Sequence, residues 1–151
     1  MNWCAIALGS NLGDRRAHLG YATARLGEIL DDLNVSSFRD TEPVGVPHAQ
    51  GWYLNGAAVG KTSLSARAVL SALLAIERER GRERPYGNAP RTLDLDLILL
   101  GDEMIDEPDL VVPHPRFRER RFVLEPLAEI APDLKDPVTG LTVAELLRRV
   151  A

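Results

Sequence analysis

The 151-residue sequence has almost no cysteine and no long apolar run. Its single cysteine, Cys4, lies in an apolar segment, so no intramolecular disulfide can form and we expect a small core residue in a reducing compartment. No apolar stretch reaches the length of a membrane span, and the first residues lack the basic and apolar regions of a signal peptide. We therefore expect a cytoplasmic protein with no membrane partner.

The chain also lacks a basic excess and the common glycine-rich nucleotide loops. Its formal net charge is −4, which argues against general nucleic-acid binding. Neither a Walker-type Gly-Lys-Ser/Thr loop nor a GxGxxG pattern occurs. A nucleotide, if one is bound, must be held by other groups, and a local arginine cluster remains able to bind a small anion.

What the chain does contain is a pair of aspartates inside an apolar run. Leucines alternate with other residues across positions 93–99, which predicts a β-strand with its leucine face in the core. Asp94 and Asp96 then share the opposite face with Ile98 and Leu100, and the carboxylates lie roughly 7 Å apart along the backbone. Mg²⁺ is the natural partner of such a pair. The alternative is a half-exposed sheet whose acids simply face solvent.

The order of predicted elements is strand, helix, strand, strand, helix, strand. The segments are 3–8, 15–31, 34–42, 52–60, a helix from its N-cap Ser63 to a stop at Gly81, and 93–100, with a turn cluster at 9–14. This order predicts an α+β fold of the ferredoxin-like split βαβ type, an antiparallel sheet with helices on one face. The length suggests a single domain over residues 1–151.

The C-terminal third is punctuated by prolines. Beyond Gly101 we expect a proline-rich extension of short hairpins and helical turns. A closing helix is predicted to begin near Thr142, because Thr142 and Glu145 have the spacing of a capping box.

Arginines cluster before and after the predicted Asp-x-Asp strand. Arg82, Arg84 and Arg91 lie in the loop and at the strand entry that must face the aspartates, where planar guanidinium groups suit phosphate oxygens. Such a loop can also close over a phosphoryl-transfer site and exclude water. Arg78 and Arg80 alternate with glutamates, which predicts a salt-bridged and solvated helix end.

Two aromatic residues and two polar ones are further candidates. Tyr53 and Asn55 share one face of the third strand, an arrangement that suits a flat heterocycle, although ordinary strand residues have the same spacing. Phe122 is either a core residue or a second stacking plate. His114, between two prolines, is either a phosphate ligand or a turn residue.

Together these segments resemble the 6-hydroxymethyl-7,8-dihydropterin pyrophosphokinase family of the folate pathway. Residues 90–97, Pro-Arg-Thr-Leu-Asp-Leu-Asp-Leu, resemble the family signature. The other similar segments follow in order along nearly the whole chain, at 9–13, 36–38, 41–45, 53–55, 112–115, 120–122 and 126–132. The resemblance implies a ferredoxin-like α+β fold and transfer of pyrophosphate from ATP to the hydroxymethyl group of the pterin, with release of AMP.

The resemblance also implies a role for individual residues. Asp94 and Asp96 would hold two Mg²⁺ ions, Asp96 bridging both and helping to accept the proton, while Arg82 and Arg91 would stabilise the transferring group. Tyr53 and Phe122 would sandwich the pterin. Its polar edge would be read by Asn55 and the segment containing Thr41, Pro43, Val44 and Gly45. The nucleotide would be held by Glu77, Arg82, Arg84, Arg91, Leu97, His114 and Arg120.

The sequence departs from the family at the loop and after His114. The family usually has a basic residue and often an aromatic one where this chain has Gly87 and Asn88, and an aromatic is common at Pro115. Either Arg84 or Tyr86 compensates, or loop closure is weaker.

Two rival functions have different products. Another Mg²⁺-dependent nucleotidyl or glycosyl transferase would release pyrophosphate or a nucleoside diphosphate, whereas a ligand-binding ferredoxin-like regulatory module would turn nothing over. We expect a monomer, because no apolar stripe is left over once the core is assigned, and association with neighbouring folate-pathway enzymes stays open.

Overall fold

The computed structural model describes residues 1–41, 52–81 and 92–150. The first part of the chain forms β1 (Asn2–Ser10), α1 (Arg15–Leu26), β2 (Asp31–Val35), β3 (Arg39–Thr41), β4 (Tyr53–Thr62), α2 (Ala66–Glu79) and β5 (Asp94–Leu100). It continues with β6 (Ile105–Glu107), β7 (Leu110–Val112), a short 3₁₀ turn at Phe117–Glu119, α3 (Arg121–Ile130) and α4 (Val143–Arg149). In the described part of the chain, no helix is long and apolar enough to cross a membrane.

The main sheet is antiparallel, as the sequence predicts. Its strand order is β2-β4-β1-β5, and β3 lies beside β4 as a continuation of the β2 edge. β1 pairs along its whole length with β4 on one side and over most of it with β5 on the other. β1 therefore forms the centre of the sheet, and residues paired across it share a face.

Helices cover both faces of this sheet. On β1, Cys4, Ile6 and Leu8 face the core formed with α1 and α2, whereas Ala5 and Ala7 face the core formed with α3 and α4. The prediction that helices would lie on one face only is therefore wrong. Cys4 is fully buried, as expected, and burial raises the pKa of its thiol to about 12.

α3 is the element that the sequence analysis missed. The prolines of this region predicted only short hairpins and helical turns. Pro126 nevertheless lies inside this ten-residue helix, where its missing N–H removes one helical hydrogen bond. Val123, Leu124 and Leu127 are nevertheless buried against the sheet. Tertiary packing of this apolar stripe outweighs the local cost of the proline.

Several predicted boundaries differ from the structure. α1 ends at Leu26, and the N-cap of α2 is Ser65, whose hydroxyl accepts a hydrogen bond from the Ala68 amide at 3.1 Å. Gly81 follows the last turn of α2 with a φ of +75°, which confirms the predicted stop. The capping box at Thr142 is confirmed at the start of α4.

A β-bulge interrupts the alternation in β5. Leu97 pairs with Ile6 and Leu99 with Ala5, so Ile98 is an extra residue with no partner on β1. Ile98 and Leu99 both belong to the core under α3 and α4, whereas Leu100 belongs to the core under α1 and α2. The predicted alternation therefore holds through Ile98, which lies on the face of the aspartates, and is wrong for Leu99 and Leu100.

Candidate active site

Asp94 and Asp96 lie on the sheet face that α3 covers. Asp94 pairs with Gly9 of β1 and Asp96 pairs with Ala7, which packs against the core under α3 and α4. Both aspartates are half-buried. The bulge begins only after Asp96, so the alternation that predicts a shared face for the two carboxylates holds where they lie.

A glycine separates these carboxylates from a polar group on β4. Gly9 pairs with Asp94 on one side and with Asn55 on the other, which places the two side chains about 10 Å apart across the sheet. A Cβ at Gly9 would lie 3.1 Å from Oδ1 of Asn55 and 3.6 Å from Cδ1 of Tyr53. Because Gly9 has no side chain, Asn55 and Tyr53 approach its backbone closely. Gly9 lies within β1, so the prediction that it belongs to a turn cluster is wrong. A glycine within a strand pattern was the signal for a close approach.

The two candidates on β4 share this face with Thr41 of β3. Asn55 is 7% exposed, and its amide donates a hydrogen bond to Oγ1 of Thr41. Thr41 pairs in register with Tyr53. Phe122, in the first turn of α3, packs partly buried against the core on the same side. The structure therefore brings four of the predicted pterin contacts to one side of the sheet, whereas the candidates at 43–45 lie outside the described residues.

His114 and Arg120 reach the same side from the segment after β7. The backbone N–H of His114 donates to the carbonyl of Ile98 at 2.9 Å. Burial lowers the pKa of His114, Arg120 and Arg116 lower it further, and Asp94 opposes the shift. His114 is therefore within electrostatic range of Asp94 and Arg120. The guanidinium of Arg120 also lies over the ring of Phe122, 5.6 Å from its centroid.

Two predicted nucleotide ligands have other surroundings. Glu77 is 2% exposed, not part of a solvated helix end, and its Oε2 accepts a hydrogen bond from the Leu95 amide at 2.8 Å. Glu77 thereby holds β5 at the residue between the two aspartates. Leu97 is 6% exposed in the core under α1 and α2, on the leucine face that the alternation predicts, and its contact with the nucleotide stays a prediction.

The arginines divide into two groups. Arg80 is partly buried: it donates to Nδ1 of His18 at 3.0 Å and lies over the ring of Tyr21, so it joins α2 to α1 rather than facing solvent as the charge pattern predicts. The candidates Arg82, Arg84 and Arg91 lie outside the described residues, together with the departures at positions 87 and 88.

The donor set fits magnesium. Within the described ranges no group of three or more histidine, cysteine, aspartate or glutamate side chains could enclose a metal ion. Mg²⁺ does not require one, because it is usually bound by one or two carboxylates, with water and substrate phosphates completing the octahedron. Two half-buried carboxylates on one face of β5 suit such a shared site.

Comparison with known proteins identifies the family. The sequence profile of the 7,8-dihydro-6-hydroxymethylpterin-pyrophosphokinase family matches residues 5–132. The chain belongs to this family. Among curated pyrophosphokinases of the family, the chain is 44% identical over 141 residues to the 2-amino-4-hydroxy-6-hydroxymethyldihydropteridine pyrophosphokinase of Bacillus subtilis, covering 92% of this chain and 84% of that one. It is 41% identical over 147 residues to the enzyme of that name from Synechocystis, covering 96% and 74%.

Solved structures share the fold of this pyrophosphokinase. The crystal structure of Plasmodium falciparum HPPK-DHPS with pteroate has a TM-score of 0.74 and 15% sequence identity, covering 98% of this chain. The A437G variant with STZ-DHP has a TM-score of 0.75 and 14% identity, also over 98% of this chain. The chain spans only 42% and 45% of those longer polypeptides, and at these identities the likeness shows the fold alone.

Proposed function

We propose that the sheet face under α3 binds ATP and 6-hydroxymethyl-7,8-dihydropterin side by side. The observation that carries this proposal is the cross-strand row Asn55, Gly9, Asp94. In this row an amide that can read a heterocycle and a carboxylate that can bind a metal lie on either side of a glycine. As a member of its family the chain is an ATP-dependent pyrophosphokinase of folate biosynthesis. It transfers pyrophosphate from ATP to the hydroxymethyl group of the pterin and releases AMP.

The carboxylates serve the phosphate end of the site. Asp94 and Asp96 would hold two Mg²⁺ ions, which supply charge neutralisation and alignment of the attacking and leaving oxygens when bound. The chain itself fixes both carboxylates on one strand, whose amide at Leu95 is held by buried Glu77. We also assign to Asp96 a part in accepting the proton of the hydroxymethyl group.

Positive charge completes the phosphate site. Arg120 would bind phosphate oxygens through its guanidinium, and His114, within electrostatic range of Asp94, would donate a ring N–H to them. We assign Arg82, Arg84 and Arg91 to the phosphates on the family resemblance, with Arg82 and Arg91 stabilising the transferring group. Glu77 would contribute by orienting β5. Leu97 would contact the nucleotide through its backbone.

The pterin end lies on β3, β4 and α3. Tyr53 and Phe122 would stack on the two faces of the ring. Asn55, whose amide is oriented by Thr41, would read the polar edge of the ring together with residues 43–45. An aromatic plane beside a fixed amide is the combination that a flat, hydrogen-bonding heterocycle needs.

We further propose the finer description of the fold and its state. The strand order β2-β4-β1-β5, with one helix after β1 and one after β4, supports the ferredoxin-like split βαβ topology over a single domain of residues 1–151. Beyond β5, the prolines at 108, 113, 115, 126, 132 and 137 accompany α3 of ten residues and otherwise shorter elements, which supports a proline-rich extension. We also propose a cytoplasmic monomer without a nucleic-acid partner, in line with the net charge of −4.

The decisive experiment identifies the products. The protein is incubated with ATP, Mg²⁺ and 6-hydroxymethyl-7,8-dihydropterin, and the nucleotide products are separated by chromatography. AMP together with a pterin diphosphate is expected, and only when all three components are present. Pyrophosphate or ADP as the nucleotide-derived product would instead identify another transferase, and binding without turnover would identify a regulatory module.

Replacing Tyr53 with alanine tests the stacking role. We expect the KM for the pterin to rise by about fivefold to 150-fold, because stacking of a heterocycle on an aromatic ring contributes about 1–3 kcal/mol. The KM for ATP should change less than about twofold. Tyr53→Phe keeps the ring and is the matched control, for which both constants should stay close to wild type. An equal loss for both substrates in Tyr53→Ala would refute the assignment.

A further inference from the structure

One face of α3 carries a line of residues directed at the β3 edge of the sheet. Phe122, Glu125 and Glu129 are spaced three and seven residues along the helix, which places them on the same side. Glu125 lies 3.8 Å from the guanidinium of Arg39, and Glu129 lies 2.8 Å from it. The proposed stacking residue and these two carboxylates therefore belong to one surface of the helix.

The strand edge opposite this surface contains a bulge. Val35 pairs with Ala58 and Arg39 pairs with Asn55. The segment from Val35 to Arg39 therefore contains one residue more than the segment of β4 that it faces. Ser36 keeps the contact with β4, since its N–H donates to the carbonyl of Ala57 and its hydroxyl accepts from the Ala57 amide at 2.8 Å. The displaced residue, Ser37, faces α3.

Glu129 binds the polar groups that the bulge exposes. One carboxylate oxygen accepts the Ser37 N–H at 2.8 Å, and the other accepts the Ser37 hydroxyl at 2.6 Å and the Arg39 guanidinium at 2.8 Å. These hydrogen bonds from Ser37, assisted by Arg39, hold the pKa of Glu129 below its usual value. A single carboxylate thus attaches the end of α3 to the bulge.

We propose that Glu129 is a positioning residue for the pterin. By holding the bulge against α3, it sets the gap between Phe122 on the helix and Thr41, Asn55 and Tyr53 on β3 and β4. This inference rests on the proposed binding of the pterin in that gap. Thr41 lies only two residues after Arg39 on β3 and orients the Asn55 amide, so release of the bulge moves a ring-reading group relative to a stacking group.

The consequence is selective for one substrate. The aspartates lie on β5, at the opposite edge of the sheet from β3, and their pairing with β1 does not involve the bulge. Loss of the Glu129 contacts should therefore weaken the pterin site and leave the ATP site unchanged. A merely structural role would lower stability and affect both substrates alike.

The test compares three variants in steady-state kinetics with each substrate varied separately. For Glu129→Ala we expect the KM for the pterin to rise about fivefold to tenfold, the effect of losing a charge-assisted hydrogen-bond cluster at the surface. The KM for ATP should stay within about twofold. Glu129→Gln keeps one carbonyl acceptor for the Ser37 N–H and should recover part of the loss. Glu125→Ala, on the same helix face but without a contact to Ser37, is the matched control with both constants near wild type.

Pterin binding measured by calorimetry, with Mg²⁺ and a non-hydrolysable ATP analogue present, supplies a readout independent of turnover. The Kd for the pterin should rise in Glu129→Ala by the same factor as KM. If that variant is unfolded, Ser37→Ala removes only the hydroxyl contact and should give about a twofold to threefold rise. An active wild type whose Glu129 variants show equal changes for both substrates, or a change in Tm only, overturns this inference alone. A wild type that forms no AMP overturns both it and the proposed function.

Discussion

Replacing Asp96 with alanine is expected to lower kcat by about a thousandfold or more while the protein stays folded. The carboxylate would be a ligand of ions that neutralise the transferring phosphates, and each tenfold loss corresponds to about 1.4 kcal/mol of barrier. Because Asp96 is half-buried at the surface of an otherwise apolar strand, its removal leaves no internal cavity. AMP release under saturating substrates measures the effect, and circular dichroism checks the fold.

A direct measurement of metal binding distinguishes a metal-ligand role of Asp96 from a purely structural one. In the presence of a non-hydrolysable ATP analogue, Mn²⁺ titration followed by electron paramagnetic resonance should show weaker binding by Asp96→Ala than by wild type. Asp106→Ala removes an exposed carboxylate from β6, outside the site, and should behave as wild type in both assays. Near-normal turnover of Asp96→Ala would refute the metal assignment.

Replacing Asp136 with alanine is expected to lower the free energy of unfolding by about 3 kcal/mol, as removal of one partner of a buried pair does. Asp136 is 0% exposed and accepts hydrogen bonds from Nε and Nη2 of Arg118 at 2.5 and 3.0 Å. The Val138 amide and the Thr139 hydroxyl also donate to it, at 3.1 and 2.8 Å. The change leaves these donors without their acceptor, and Tm should fall by roughly 6–12 °C.

The same carboxylate makes stability depend on pH. Burial alone would raise the pKa of Asp136, but the hydrogen bonds from Arg118, Thr139 and Val138 outweigh it and hold the pKa below its usual value. Its contribution is therefore present above about pH 4 and is lost as the pH falls through the folded-state pKa. Denaturant unfolding at pH 7 and at decreasing pH below 4 should show a steeper loss in wild type than in Asp136→Asn. Parallel curves for the two proteins would contradict this account.

A matched control for the stability measurement is the exposed pair of Arg67 and Glu107. Glu107 is half exposed, and ion pairs of this kind contribute little to stability. Glu107→Ala should therefore leave Tm nearly unchanged, which separates the buried pair from surface charge in general.

The sequence predicted the part of the site in which local periodicity decides the geometry. Alternation placed Asp94 and Asp96 together, and the two-residue rule placed Tyr53 and Asn55 together, because these strands are regular where those residues lie. Thr142 was predicted as a helix start for a similar reason, since a capping box is complete within four residues.

The remaining features depend on contacts between distant segments. Glu77 reads as one more glutamate in a charged helix end, yet tertiary packing buries it against β5. Glu129 lies 92 residues from Ser37, and no local pattern indicates that the two would meet. α3 was missed because Pro126 suggests a break in the helix. The apolar residues that stabilise α3 do so by packing against the sheet, which the local sequence does not show.

The extra residue in β5 connects the strand that carries the aspartates to the segment after β7. Ile98 does not pair with β1, and its carbonyl instead accepts a hydrogen bond from the backbone N–H of His114. This hydrogen bond fixes the segment after β7 to the strand that carries the aspartates. We expect deletion of Ile98 to leave Asp94 and Asp96 in register with Gly9 and Ala7. The hydrogen bond to His114 should be lost, and His114 should then move away from the aspartates.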